Sequence, residues 1–194
     1  AYFNCGIQNA AAKCWGFGAQ GRLGGGNTNL SNVPQQVTGL TGGITAISAG
    51  NGLHGCGVQG GGALCWGANN AGQLGNPGAT GGSNVPVAVQ GLASGIIDVS
   101  AGGLHACATT DTQVYCWGNN AYGQLGNGNT TPSGTPILTL TVPPPPANPA
   151  RLANISTRMQ VLTGNDVLIG GFIIGGSTAK TGGVRARGPS PTQA

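Results

Sequence analysis

Stepping along this chain in units of 51 residues stacks Cys5, Cys56 and Cys107 in one column, Cys14, Cys65 and Cys116 in a second, and Trp15, Trp66 and Trp117 in a third. No gap separates the units at these anchors. Around them the sequence reads CWGFGAQGRLGGG at 14–26, CWGANNAGQLGNP at 65–77 and CWGNNAYGQLGNG at 116–128. The agreement continues further on, with Val33-Pro34 answering Val85-Pro86 and GITAISAG at 43–50 answering GIIDVSAG at 95–102. A repeat of this length is one small supersecondary unit, which cannot bury its apolar faces alone and must stack on its neighbours. A modular array is expected rather than one closed core.

Composition selects the kind of unit. Of 194 residues, 40 are glycine and 12 proline, only 5% are charged and glutamate is absent, yet 39% are hydrophobic. The ordered recurrence of those apolar residues separates the chain from a disordered glycine-rich one. Short β-rich pieces such as Ala63-Leu64-Cys65-Trp66 and Ile96-Ile97-Asp98-Val99-Ser100 alternate with glycine-asparagine clusters that mark turns, and four such pieces fit in each unit. The class is all-β. Trp15, Trp66 and Trp117 are expected in equivalent buried positions between strands, with Leu23, Leu74 and Leu125 packing near the contacts between units.

The tryptophan-glycine pair, the glycine-glutamine-leucine-glycine run, the later proline and the serine-alanine-glycine strand end followed by histidine resemble the regulator of chromosome condensation repeat over about residues 2–140. The resemblance implies a four-stranded propeller blade per repeat and, in the family, usually about seven blades closing a ring. Three repeats, read as 2–52, 53–103 and 104–142, leave such a ring open with two blade faces uncovered. The third repeat reads as unfinished, because no Ile-x-x-Val-Ser strand follows Leu138. The chain runs instead into Pro143-Pro144-Pro145-Pro146, and 143–149 forms an extended spacer. The resemblance also raises nucleotide exchange on a small GTPase. That role belongs to a closed nuclear ring, and both the open array and the cysteines argue against it.

Six cysteines allow fifteen pairings. One spacing repeated three times favours bonds within each repeat, Cys5–Cys14, Cys56–Cys65 and Cys107–Cys116, across a hairpin. Each small loop would contribute about 2.5–3 kcal/mol and implies an oxidising compartment. The rival reading is metal binding, since His54 and His105 each stand two residues before a cysteine. Phe3 takes that place in the first unit, and zinc sites space their cysteines more closely. Structural histidines are expected, and neither a metal nor any cofactor.

No catalytic constellation can be assembled. Three aspartates, two histidines and paired cysteines supply neither a carboxylate pair nor a triad, so the chain reads as a non-enzyme. Gly16-Phe17-Gly18-Ala19-Gln20-Gly21 has the glycine spacing of a dinucleotide fingerprint, but it falls on the turn after a tryptophan strand with no helix to follow. Residues 1–142 carry Lys13, Arg22, Asp98 and Asp111, which cancel. The net charge of +4 comes from Arg151, Arg158, Lys180, Arg185 and Arg187 against Asp166. Cations this sparse, with few aromatics among them, do not suggest a nucleic-acid partner. The longest apolar stretch, Val167 to Ile174, is broken by Gly170-Gly171 and falls well short of the roughly 20 residues of a membrane span.

From residue 150 to 194 the composition changes, and Val167, Leu168, Ile169, Phe172, Ile173 and Ile174 read as strand formers. This tail, ending in RARGPS at 185–190, is similar to the start of a C-terminal module found on exported bacterial proteins that carry repeat domains. The chain starts at Ala1 without methionine, as a processed exported form or a segment of a longer protein would. The expected function is a secreted or cell-surface structural subunit. It would polymerise head-to-tail with itself, burying open blade faces and adding the tail strands to a neighbour. The alternative is a secreted or surface-tethered repeat module that recognises a protein or glycan.

Overall fold

The computed structural model describes residues 2–141 with their side chains, and the backbone of 151–156 and 171–175. The chain divides into two compact units, Ala1–Pro144 and Pro145–Ala194. In the first, β1 (Phe3–Gln8), β2 (Ala11–Gly16) and β3 (Ser31–Gln36) form a three-stranded antiparallel sheet. β4 (Ile44–Ala49), β5 (His54–Gln59), β6 (Gly62–Ala68) and β7 (Gly82–Ala88) form a four-stranded sheet. β8 (Asp98–Ala101), β9 (His105–Thr109), β10 (Gln113–Gly118) and β11 (Ser133–Thr141) form another. Each sheet is a simple meander, and the array does not close.

The blades are phased differently from the sequence repeat. GITAISAG and GIIDVSAG supply β4 and β8, which open the second and third sheets rather than finishing the first and second. The third sheet is therefore complete with four strands, contrary to its reading as unfinished. The first sheet is the one that lacks an opening strand. A strand belongs to the sheet whose edge it hydrogen-bonds, and β4 pairs with β5 while β8 pairs with β9.

Each sheet is stapled across its central hairpin. Cys5 faces Cys14, Cys56 faces Cys65 and Cys107 faces Cys116 in register, and all three pairs are disulfides with Cα atoms 4.0–4.1 Å apart. That separation is typical of the non-hydrogen-bonded cross-strand position, where side chains lie closest. In the second sheet Gly60-Gly61 make the turn with positive φ at both residues, and Asn9-Ala10 do the same in the first.

The tryptophan-glycine pair has a backbone cause. Gly16, Gly67 and Gly118 have φ of 109°, 104° and 105°, at the register shifts of β2, β6 and β10 against their outer neighbours. A Cβ at these positions would run into the carbonyl of Tyr2, Leu53 or Leu104. Only glycine makes this bulge without strain.

Two cores lie between sheets. Phe3, Ala12, Cys14, Leu23, Val37, Leu40, Ile44 and Trp66 fill the first. The second gathers Val58, Leu74, Val89, Leu92, Ile96, Val99 and Trp117 around the Cys56–Cys65 bond. In both, the tryptophan of one sheet points back at the sheet before it. In the second unit, β12 (Arg151–Ser156) pairs antiparallel with β13 (Gly171–Gly175). Of the tail residues expected to join a neighbour, Phe172, Ile173 and Ile174 lie in β13 opposite β12 of the same chain. Val167, Leu168 and Ile169 fall outside the described residues.

Candidate interaction surface

The array is held by two junctions that share a glycine loop seated under the tryptophan of the next sheet. After each bulge the chain makes a glycine-rich loop, and the first two of these seat on the next sheet. In the first sheet, Gly21 (φ 74°) abuts the backbone of Asn84, and Gly24 (φ 67°) lies against the Trp66 indole. Gly26 N–H donates to the Asn84 carbonyl at 2.9 Å and Asn84 Nδ2 returns a bond to the Gly26 carbonyl at 2.8 Å. Trp66 Nε1 donates to the Arg22 carbonyl at 3.0 Å. In the second sheet Gly72 (φ 79°) abuts Gly134, Gly75 (φ 63°) lies against Trp117, and Trp117 Nε1 donates to the Gln73 carbonyl at 2.9 Å.

Both ends of the array carry half of this contact. Trp66 and Trp117 are fully buried, but Trp15 is only partly so. The three indoles are thus not equivalent, because the cover of each is the loop of the preceding sheet, and no described sheet precedes the first. Leu23, Leu74 and Leu125 are all buried. On the first sheet a shallow cavity of about 490 Å³ is lined by Tyr2, Gly16, Phe17, Leu30, Ser31 and Asn32. Tyr2 is 81% exposed and Leu30 68%, and the Arg22 guanidinium sits 4.9 Å above the Phe17 ring. At the other end Tyr122 is 94% exposed, and a Cβ on Gly123 would meet nothing within 4 Å.

Sequence reasoning missed Tyr2, Phe17, Leu30, Asn32 and Tyr122. The available signal was substitution within the repeat: Phe17 stands where Ala68 and Asn119 stand in the other units. A large apolar residue at one repeat position alone marks a face that its siblings cover.

The histidines form the other polar feature. His54 is fully buried, and neither ring nitrogen has a hydrogen-bond partner among the described residues. Burial, with the neighbouring His105 adding charge repulsion, pulls its pKa from 6.5 down to about 4. Burial also lowers His105. The unfolded chain therefore binds a proton that folded His54 refuses. Stability is full above about pH 6.5 and is lost as pH falls toward and through about 4, by about 3 kcal/mol. Urea unfolding across this range measures the slope. His54→Phe, which copies Phe3 in the first sheet, is expected to flatten it, and a wild-type profile that is already flat would contradict the assignment.

Among the described residues no three histidine, cysteine or acidic side chains gather as a metal site. No helix there is long and apolar enough to cross a membrane.

Four-stranded meanders stapled at the hairpin and docked by a glycine loop under the next tryptophan define a propeller-type repeat protein. The profile of the Regulator of chromosome condensation (RCC1) repeat matches residues 14–56, 60–109 and 111–156. The chain belongs to the regulator of chromosome condensation repeat family. It is 38% identical over 131 residues to E3 ubiquitin-protein ligase HERC2 of Homo sapiens, covering 64% of this chain and 3% of that protein. To Ultraviolet-B receptor UVR8 of Arabidopsis thaliana it is 34% identical over 126 residues, covering 63% of this chain and 28% of that one. Human WBSCR16 shares the fold with a TM-score of 0.59 at 22% identity, over 70% of this chain and 35% of that chain. Yeast RCC1 (Prp20), in a crystal structure bound to Kap60, does so with 0.59 at 16%, over 75% and 36%. The chain spans well under half the length of each of these relatives.

Proposed function

We propose that this chain is a non-catalytic, self-associating structural module working in an oxidising, extracytoplasmic setting. The observation that carries the reading is that, among the described residues, the junction between sheets is left half-made twice, with Trp15 partly exposed on the first sheet and Tyr122 94% exposed in the loop after β10. Contact between two different surfaces is heterologous, and it extends into a fibre unless the rotation closes a ring. Three disulfides support placement outside the reducing cytosol. Electron microscopy of the oxidised chain is expected to show regular head-to-tail assemblies, and dispersed monomers at every concentration would overturn the reading.

A second reading, recognition of another protein or a glycan by the loops, is favoured by a protein of the same fold. Prp20p is described with binding properties to Gsp1p and histones. Dispersed particles that bind a protein or glycan array saturably would favour it. The ligase activity in the name of HERC2 is not assigned to this chain, which matches 3% of that protein.

A further inference from the structure

We propose that the loop 119–128 of one copy docks on the first sheet of a second copy by the contact the chain already makes twice within itself. The proposal rests on the self-association reading and names its interface.

The donor half is preformed. Gly123 and Gly126 have φ of 75° and 64°, matching 74° and 67° at Gly21 and Gly24 and 79° and 63° at Gly72 and Gly75. The loop's own hydrogen bonds are the same in all three sheets, running from Gly21 to Gly18 and Gly24 to Gly21, from Gly72 to Asn69 and Gly75 to Gly72, and from Gly123 to Asn120 and Gly126 to Gly123. What differs is the cover. A Cβ at Gly24 would strike the Trp66 indole and one at Gly75 the Trp117 indole, whereas at Gly126 it would meet only Thr139 of its own sheet.

The acceptor half is preformed too. Asn84 receives the first loop at the start of β7, where Ser83 Oγ donates to the Val85 carbonyl at 2.7 Å. Asn32 holds the corresponding place in β3, where Ser31 Oγ donates to the Val33 carbonyl at 2.7 Å. Both asparagines are exposed, so occupying the site needs no local unfolding. The residue types match the first junction: Gly26 meets Asn84 within the chain and Gly128 would meet Asn32 between copies, whereas the second junction has Pro77 and Gly134 at these places and lacks this pair of bonds. Trp15 Nε1 then donates to the Gln124 carbonyl, as Trp66 does to Arg22 and Trp117 to Gln73. The occupant is a second copy because the socket is shaped for this loop and the outgoing loop of the chain's third sheet is unoccupied among the described residues.

The test uses the full oxidised chain in sedimentation equilibrium together with tryptophan fluorescence over a concentration series. Trp66 and Trp117 are buried already, so only Trp15 should move to the blue on association. Trp15→Phe keeps a ring but removes the donor. It is expected to weaken association about tenfold and abolish the concentration-dependent blue shift. Asn32→Arg, at an exposed position, is expected to abolish association while leaving thermal unfolding of the monomer unchanged. Association of both variants at wild-type strength would overturn this interface while leaving self-association standing. A wild-type chain that stays monomeric up to on the order of 100 μM would overturn both.

Discussion

Reduction of the three disulfides is expected to unfold the blade array near room temperature. Each bond closes a hairpin of sequence separation 9, which by loop-closure entropy contributes about 2.5–3 kcal/mol. The bonds sit in separate sheets, so their effects add to about 8 kcal/mol. A domain of this size has only about 5–15 kcal/mol of net stability. Of the freed thiols, those of Cys14, Cys56, Cys65 and Cys116 are buried and those of Cys5 and Cys107 are partly exposed, and a thiol tolerates either setting without a new polar partner. Thermal unfolding followed by tryptophan emission with and without reductant is expected to show a drop on the order of 20 °C. Replacing one pair, Cys107→Ala with Cys116→Ala, should produce about a third of it. Equal melting points in both conditions would show that the hairpins hold without their staples.

Trp117→Ala and Trp66→Ala are each expected to cost about 4–5 kcal/mol. Truncating a large buried aromatic costs about 3–5 kcal/mol in lost transfer and cavity energy. Here it also strands a buried carbonyl, Gln73 for Trp117 and Arg22 for Trp66, at about 1–3 kcal/mol. The two penalties overlap where the surroundings relax. Trp15→Ala should cost far less in the monomer, about 1–2 kcal/mol, because that indole is partly exposed and no described loop lies over it. Urea unfolding of the three variants measures the contrast. Three equal losses would mean that the first sheet is covered in solution by something that leaves Trp15 as buried as its siblings, and assembly is the first explanation to test.

Much of this was legible without coordinates. The columns of cysteine and tryptophan encode local facts. Cysteines with eight residues between them fit a hairpin that sets them opposite each other, and glycine after tryptophan is the residue a left-handed bulge tolerates. Such facts depend on neighbours in sequence, so a repeat read against itself reveals them. The all-β class and the open array belong to the same kind.

What the coordinates alone decided is where one blade stops and the next begins. Sequence periodicity is silent about phase, because a 51-residue repeat can be cut at any point, and only hydrogen bonding assigns β4 to the second sheet and β8 to the third. That assignment moves the missing strand from the third sheet to the first and, among the described residues, leaves Trp15 without a loop over it. The inequality of three identical columns is likewise tertiary. Trp15, Trp66 and Trp117 have the same local sequence, and what separates them is a glycine loop some 44 residues upstream, present over two of them. An indole is buried by the surface laid against it, and the sequence around the indole does not contain that surface.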